Sequence, residues 1–532
     1  MRAFAELFER LDRTTRRNAK IASLVDYFRS ASAADAAWAF HFLAGGRAKR
    51  LVGSRSLRSW TAEEAGIPDW LFEESYGAVG DLAETIALLL PPGMGTDEPL
   101  HDWVENRLLP LKGLDEETQR PRVLAAWRQL DTTQLLIWNK LMTGAFRVGA
   151  SRRLVLRALE AVSGVDRATL EHRSMGHWRP SAESYRLLID ADTRDSDPSR
   201  PYPFFLAHPL EAEPRELGPV AEWQAEWKWD GIRAQLVRRG GAVYLWSRGE
   251  ELMTDRYPEV ATAAKELPDG TVLDGELLAW RDGGPMPFAA LQRRIGRKQV
   301  GPKLLAEVPV SMMTYDLLEL AGQDVRGRPL DWRRAELRRL VATLAAGGPL
   351  LTSPRVDAAD WEELARLRET SRERRTEGLM LKRRSAPYRV GRPRGDWWKW
   401  KVDPYTVDAV MLYAQRGHGR RASLYTDYTF GVWDGDRLVP FAKAYSGLTD
   451  AEIREVDRFV RRNTVERFGP VRSVRPELVF EIAFESIQAS KRHKSGIAVR
   501  FPRIARWRRD KRPEAADSLA AVRSLAARGE EP

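Results

Sequence analysis

The chain contains no cysteine. That excludes disulfides, cysteine-ligated zinc, iron–sulfur clusters and a thiol nucleophile. It also lacks a long hydrophobic run. The longest apolar stretch, around Ile86–Leu90, is far short of the roughly 20 residues that span a bilayer. The amino-terminal MRAFAELFERLDRTTRR is amphipathic and charged, without the apolar centre and small-residue cleavage site of a secretory signal. A soluble, cytoplasmic protein with no membrane partner is expected. What the chain does have is charge. Lys and Arg number 86 against 75 Asp and Glu, a formal net charge of +11. Such an excess favours anionic partners, nucleotides or nucleic acid. Hydrophobic residues at 43% and charged residues at 30% exclude disorder and fibre. A length of 532 residues suggests about three or four domains. The 19 tryptophans, several beside basic residues, would suit stacking on bases, although tryptophan is more often core.

Residues 1–195 read as an all-α domain. Phe4, Leu7, Phe8 and Leu11 recur at helical spacing, and DLAETIALLL, TTQLLIWNKLM and SRRLVLRALEAV repeat the pattern. The Asp-, Ser- and Pro-rich stretch at about 190–203 reads as a linker. The texture then changes to α+β over 205–402. AQLVRRGGAVYLWS predicts a hairpin about Gly240-Gly241, and TVLDGELLAW and VSMMTYDLLEL predict further strands. LDWRRAELRRLVATL and DAADWEELARLRE predict helices. Short strands and one helix over 403–513 suggest a small β-barrel, and 514–532 reads as a polar, alanine-rich tail, helical or frayed.

The sharpest local feature is Glu226-Trp227-Lys228-Trp229-Asp230-Gly231-Ile232-Arg233. On a strand, Glu226 and Lys228 share one face and Trp223, Ala225 and Trp227 the other. A lysine at a strand end beside an Asp-Gly turn can reach a ligand. An amine nucleophile must shed its proton, which neighbouring cations or burial favour. Alone, the segment equally describes a surface lysine before a turn.

It is followed in order by Ser247-Arg248-Gly249, Asp274-Gly275-Glu276, Tyr315-Asp316, Glu377-Gly378-Leu379-Met380-Leu381-Lys382 and Asp396-Trp397-Trp398-Lys399-Trp400-Lys401. This ordered set resembles the covalent nucleotidyltransferases: ATP-dependent DNA ligases, RNA ligases and mRNA-capping enzymes. The resemblance implies that Lys228 attacks the α-phosphate of ATP. It implies that Glu226 and Trp227 read adenine, that Tyr315 stacks on it, and that Arg233 and Arg248 hold ribose and phosphate. Glu276 and Glu377 would hold Mg²⁺, or Mn²⁺ in its place, since hard oxygen ligands suit such ions. Lys399 and Lys401 would neutralise charge on the phosphates. Relatives place an arginine six residues before the first lysine of the last of these motifs. Here that position is Pro393, flanked by Arg392 and Arg394, and Arg394 is the expected phosphate contact.

Phe441-Ala442-Lys443, Ser446-Gly447-Leu448, Leu478-Val479-Phe480-Glu481, Arg492-His493-Lys494-Ser495-Gly496 and Arg500-Phe501-Pro502-Arg503 are similar to the OB-fold domain of ATP-dependent DNA ligases. There Arg503, with Arg506, Asp510 and Lys511 after it, would orient the pyrophosphate leaving group. Thr143 to Ser151, reading TGAFRVGAS, resembles the helical DNA-binding domain of the larger ligases. Gly144, Arg147, Gly149 and Ser151 are the expected DNA contacts, which position duplex without reading its sequence. The chain is thus identified as a member of the bacterial three-domain ATP-dependent DNA ligases. The resemblance implies a monomer encircling nicked duplex DNA, nucleoid-associated, sealing nicks through lysyl-AMP and 5′-adenylylated DNA in repair or recombination. Two alternatives stay open on sequence: an RNA ligase or capping guanylyltransferase, and a DNA-binding protein retaining an inactive ligase fold.

Overall fold

The computed structural model describes all residues except 47–50, 177, 192–196, 298–299, 418–420, 422, 491 and 531–532, and the side chains of 526–530. The chain divides into two compact units. One comprises Met1–Ala158, Pro180–Tyr185 and Asp403–Pro532; the other comprises Leu159–Arg179 and Arg186–Val402. The expected classes hold: a helical amino-terminal region, an α+β middle region, and a curled carboxy-terminal sheet of OB type. No helix among the described residues is long and apolar enough to cross a membrane.

In the helical region the predicted apolar stripe is the buried one. Phe4, Leu7, Phe8 and Leu11 of the helix Arg2–Asp12 are all inside. Asp131 caps the helix Thr132–Thr143 by accepting from the Gln134 N–H, and Gly144 ends it at φ 70°. A left-handed terminator of this kind favours glycine, which has no Cβ to clash. The chain then alternates. Phe146 and Val148 are buried, whereas Arg147 and Gly149 are exposed. The Phe146 ring lies 5.7 Å from those of both Phe4 and Phe8. The turn is therefore pinned by its apolar residues and presents its polar ones to solvent.

Two sheets build the middle region. One orders the strands Ala242–Ser247, Ile232–Arg239, Thr271–Arg281, Val310–Leu320 and Gln323–Asp324. The other orders His208–Pro209, Trp397–Lys401, Thr376–Arg383, Trp223–Trp229 and Arg355–Val356. The predicted hairpin is present: Arg239 faces Ala242 across Gly240 and Gly241. Both glycines have positive φ, 58° and 77°, as a two-residue turn matched to strand twist requires. Most of the tryptophans are structural. Trp223, Trp227, Trp229, Trp361 and Trp398 join one buried cluster with Leu278 and Met313 of the other sheet.

Two readings of the sequence change. The stretch at 190–203 is not a free linker throughout. Residues 192–196 lie outside the described residues, but Tyr202 is bound into the fold. Gln235 exchanges two hydrogen bonds of 2.8 Å with its backbone, and its hydroxyl donates to Glu319 at 2.7 Å. The tail beyond Glu514 is also built in. It is helical over Leu519–Glu530, one of the two forms expected, but it is docked rather than loose: Leu519 and Val522 enter the core of the carboxy-terminal barrel. In that barrel the long strand Tyr405–Arg416 pairs with Tyr425–Asp434, Val471–Val474 and Val479–Phe484. Register shifts after Met411 and Gln415 bend it, as bulges do.

Candidate active site

Lys228 stands near the end of the strand Trp223–Trp229, whose neighbours are Arg355–Val356 and Thr376–Arg383. Asp230-Gly231 then carries the chain into the other sheet. Gly231 is dictated by space: a Cβ there would sit 2.3 Å from the Leu277 carbonyl oxygen and 2.8 Å from Glu276 Cγ. Only glycine lets the lysine-bearing turn close onto the strand that carries Glu276.

Glu377 reaches the same place by a second device. The pairing of Thr376–Arg383 with Trp223–Trp229 shifts register between Thr376 and Leu379. Gly378 makes this possible, at φ 133° and with the Trp400 carbonyl oxygen 2.3 Å from where its Cβ would be. Such a bulge re-aims one side chain. Glu377 Oε2 lies 2.6 Å from Lys228 Nζ and 3.2 Å from Lys401 Nζ. Burial pushes the Glu377 carboxyl up, but the two ammonium groups outweigh it and hold it below the usual carboxylate range. Glu276 has the opposite balance. Burial drives it up to about 7 against the pull of Lys228 and Arg233. Lys399 is depressed by burial and by its like-charged neighbours Lys401, Arg392 and Lys228.

Glu226 is buried in a polar cluster. Its carboxylate is 3.1 Å from Lys382 Nζ and 3.7 Å from Arg334 Nε, and it accepts from the Gln224 amide. The Lys382 ammonium lies over the Tyr315 ring at 4.2 Å and the Trp397 ring at 4.6 Å. Burial lowers its proton affinity, although Glu226 opposes this. Arg233 is held in a fork. Its Nε and Nη2 donate to the two oxygens of Asp274 at 3.2 and 2.6 Å, and Nη1 donates to the Phe205 carbonyl at 2.7 Å. The Tyr388 hydroxyl completes the arrangement by donating to Asp274 at 2.7 Å.

One cavity gathers these groups. Glu226, Trp227, Lys228, Arg233, Arg248, Glu276, Tyr315, Lys399 and Lys401 all line it. So do Lys382 and Arg392, to which the sequence reading gave no role. Lys382 ends the EGLMLK run, and its burial beside Glu226 was the missing signal. Arg392 lines the cavity, whereas Arg394 does not; Arg394 lies over the Trp398 ring at 5.8 Å. Arg503 belongs to the other compact unit, in the strand Arg503–Trp507, with Nη1 2.9 Å from Glu485. The cavity is strongly cationic: Lys228, Arg233, Arg248, Lys382, Arg392, Lys399 and Lys401 line it against Glu226 and Glu276. It can take an anion carrying several charges together with an aromatic group.

Comparison with known proteins agrees with that chemistry. Residues 205–401 match the family described as ATP dependent DNA ligase domain, residues 1–160 the DNA ligase N terminus, and residues 421–511 the ATP dependent DNA ligase C terminal region. A probable DNA ligase of Koribacter versatilis is 33% identical, with 98% of this chain and 95% of that protein covered. The chain belongs to the ATP-dependent DNA ligase family. A second member, a probable DNA ligase of Streptomyces coelicolor, is 32% identical with 97% and 96% covered. The solved structure called Pmar-Lig_PreS3 shares the fold, with a TM-score of 0.64 at 15% identity, covering 95% of this chain and 99% of that one. As a member of the family the protein is a DNA ligase that uses ATP, and DNA and ATP are its substrates.

The segment expected to meet DNA in this ligase is an exposed turn. Arg147 and Ser151 are exposed, and the Gly149 carbonyl accepts from Lys20 Nζ at 3.0 Å. Gly149 has φ 64°, and a Cβ there would meet that ammonium at 2.9 Å. Glycine thus lets a basic side chain from the helix Arg17–Ser30 close over the turn.

Proposed function

We propose that this ligase works through a covalent lysyl-AMP on Lys228. The neutral amine of Lys228 attacks the α-phosphorus of ATP, the bond to the β-phosphate oxygen breaks, and pyrophosphate leaves. The AMP is then passed to the 5′-phosphate of a nick, and the 3′-hydroxyl attacks it, closing the phosphodiester and releasing AMP. The observation that carries this reading is that Lys228 and Lys401, both lining a cationic cavity, share the Glu377 carboxylate behind them, which does not itself line it. Attack needs a positioned amine, and the Glu377 carboxylate, 2.6 Å away, holds Lys228 in place while the lysine's proton leaves to solvent.

The other residues take roles by their positions. Glu226, with Lys382 beside it, faces the base, and Tyr315 offers its ring. Arg233 is fixed by Asp274, so it acts as a rigid wall near the ribose rather than a free phosphate fork. Arg248, Lys399 and Lys401 meet the phosphates, and Arg392 joins them in place of Arg394. Glu276 and Glu377 fit a Mg²⁺ or Mn²⁺ ion. Among the described residues no three acidic, His or Cys side chains converge as a closed metal cage, but Glu276 is an acid whose burial outweighs the pull of Lys228 and Arg233. Mg²⁺ characteristically takes one or two carboxylates together with substrate phosphates. Bound there, it would supply charge neutralisation at the phosphates.

We assign residues 1–195 to DNA binding, 205–402 to adenylylation and 403–513 to the OB domain, with 514–532 as its carboxy-terminal extension. Gly144, Arg147, Gly149 and Ser151 meet duplex phosphates, and a monomer encircles the nick. Arg503 serves the pyrophosphate after reorientation about Lys401–Pro404. The test is incubation with Mg²⁺ and α-phosphate-labelled ATP, after pyrophosphate treatment to clear any AMP already bound, with Lys228→Ala alongside. Label on the unaltered chain alone is expected; label surviving on Lys228→Ala would refute the nucleophile.

A further inference from the structure

The segment after Lys511 lies beyond the matched ligase C-terminal region, which ends at residue 511. It is nevertheless woven into the barrel. Trp433 Nε1 donates to the Pro513 carbonyl at 2.7 Å, and the Trp433 N–H donates to the Asp517 carbonyl at 3.0 Å. The Asp517 N–H donates to the Asp408 carbonyl at 2.9 Å, and Asp517 Oδ2 accepts from the Asp408 N–H at 2.8 Å. Asp408 is therefore clamped through both backbone groups.

Its side chain faces the last motif. A single oxygen, Asp408 Oδ2, takes Arg508 Nη1 at 2.7 Å and Lys511 Nζ at 2.5 Å. Arg508 also grips Asp510 at 2.7 Å. Further along, the helix Leu519–Glu530 buries Leu519 and Val522 in the barrel core. From it Arg523 Nη2 donates to the Ser495 carbonyl at 2.8 Å. Ser495 is buried and leads directly into the strand Ile497–Arg500, three residues before Arg503. Both ends of the stretch that carries Arg503, Arg506, Asp510 and Lys511 are thus fastened to the carboxy-terminal segment.

We propose that residues 512–525 are a brace that fixes the orientation of the Arg503–Lys511 motif for the ATP-consuming step, with Asp517 and Arg523 as positioning residues acting through Asp408 and Ser495. This rests on the lysyl-AMP reading above. An ordered cation array presented to a leaving pyrophosphate must be held before the phosphates arrive, since preorganised charge needs no rearrangement at the moment of reaction. Once the AMP is on DNA no pyrophosphate remains to be met, so the brace matters to the first step and not to the last.

The test uses the full chain with Arg523→Ala and, separately, Asp517→Ala. Two rates are read: transfer of labelled AMP from ATP to the enzyme, and sealing of a nicked duplex already carrying a 5′-adenylate. Loss of one or two hydrogen bonds to a charged group predicts about a tenfold fall in the first rate. The second rate should stay within about twofold. Arg523→Lys, which can still donate to the Ser495 carbonyl, should recover most of the first rate. Equal losses in the two rates would make the segment a general fold element and overturn the proposal, as would no loss in either. Failure of the parent reading looks different: the unaltered chain itself would take no label.

Discussion

Replacing Glu276 with glutamine should stabilise this enzyme while inactivating it, and the gain should depend on pH. Burial pushes the Glu276 carboxyl from its ordinary 4.5 up to about 7. Between those values the folded chain holds a proton that the unfolded chain has released. Stability is therefore full below the lower value and is lost as pH rises through the upper one. At about 1.36 kcal/mol per tenfold change in proton affinity, the full penalty is about 3 kcal/mol. Glu276 keeps some surface toward the cavity mouth, so that figure is an upper bound. Glu276→Gln removes the charge and keeps the shape. It should gain about 1.4 kcal/mol over the parent at pH 5.5 and about 3 kcal/mol at pH 8.5. Denaturant titration of both proteins at the two pH values, without nucleotide or metal, reads the difference. Adding Mg²⁺ and ATP should narrow the gap at pH 8.5, because ligands that favour the ionised carboxylate stabilise only the parent. Labelling from ATP should fall by roughly 10²-fold or more at either pH, the usual scale for removing a preorganised charge contact. A gain that does not change with pH, or a loss of stability at pH 8.5, would refute the claim that Glu276 is held against its own charge.

Gly231→Ala should cost about 2 kcal/mol or more, since its Cβ would meet the Leu277 carbonyl at 2.3 Å and backbone must move; thermal melting and AMP labelling should both decline. Arg147→Ala should weaken binding to nicked duplex uniformly across sequences and reduce the slope of log affinity against log salt by about 1, leaving AMP labelling unchanged. Arg392→Ala should raise the KM for ATP in self-adenylylation by about tenfold, the scale of one charge-assisted phosphate contact, whereas Arg394→Ala should leave it within about twofold; the reverse order would restore the sequence-based choice.

What the sequence reveals here, and what it hides, follows from range. That Lys228 and Glu226 share a face is legible because a strand fixes alternate faces within a few residues, while their roles come only from the ordered motifs that resemble the nucleotidyltransferases. The hairpin at Gly240-Gly241 is legible because two adjacent glycines at a strand junction serve one turn type. The helical stripe of Phe4, Leu7, Phe8 and Leu11 is legible for the same local reason. The choice between Arg392 and Arg394 is not, since it depends on which side of a turn faces a cavity assembled from two sheets. Tyr202 is hidden in an Asp- and Pro-rich stretch because its partners, Gln235 and Glu319, are distant in sequence. Leu519 and Val522 are two apolar residues in an alanine-rich run, too few to mark a docked helix until the barrel core they enter is known.

The geometry around Glu377 answers a difficulty inherent in amine nucleophiles. A lysine must lose its proton to attack, yet removing a cation from beside a half-buried carboxylate leaves that carboxylate's charge uncompensated, which is costly. Here the carboxylate has two cations on the same oxygen, Lys228 at 2.6 Å and Lys401 at 3.2 Å. When Lys228 becomes neutral, Lys401 remains and Glu377 stays paired. The bulge at Gly378 is what lets one carboxylate sit between two lysines from different strands. Moving Glu377 one position along the pleat would turn it to the opposite face of the sheet, and the pair would separate. The glycine thus supports the chemistry of the residue before it, through backbone register alone.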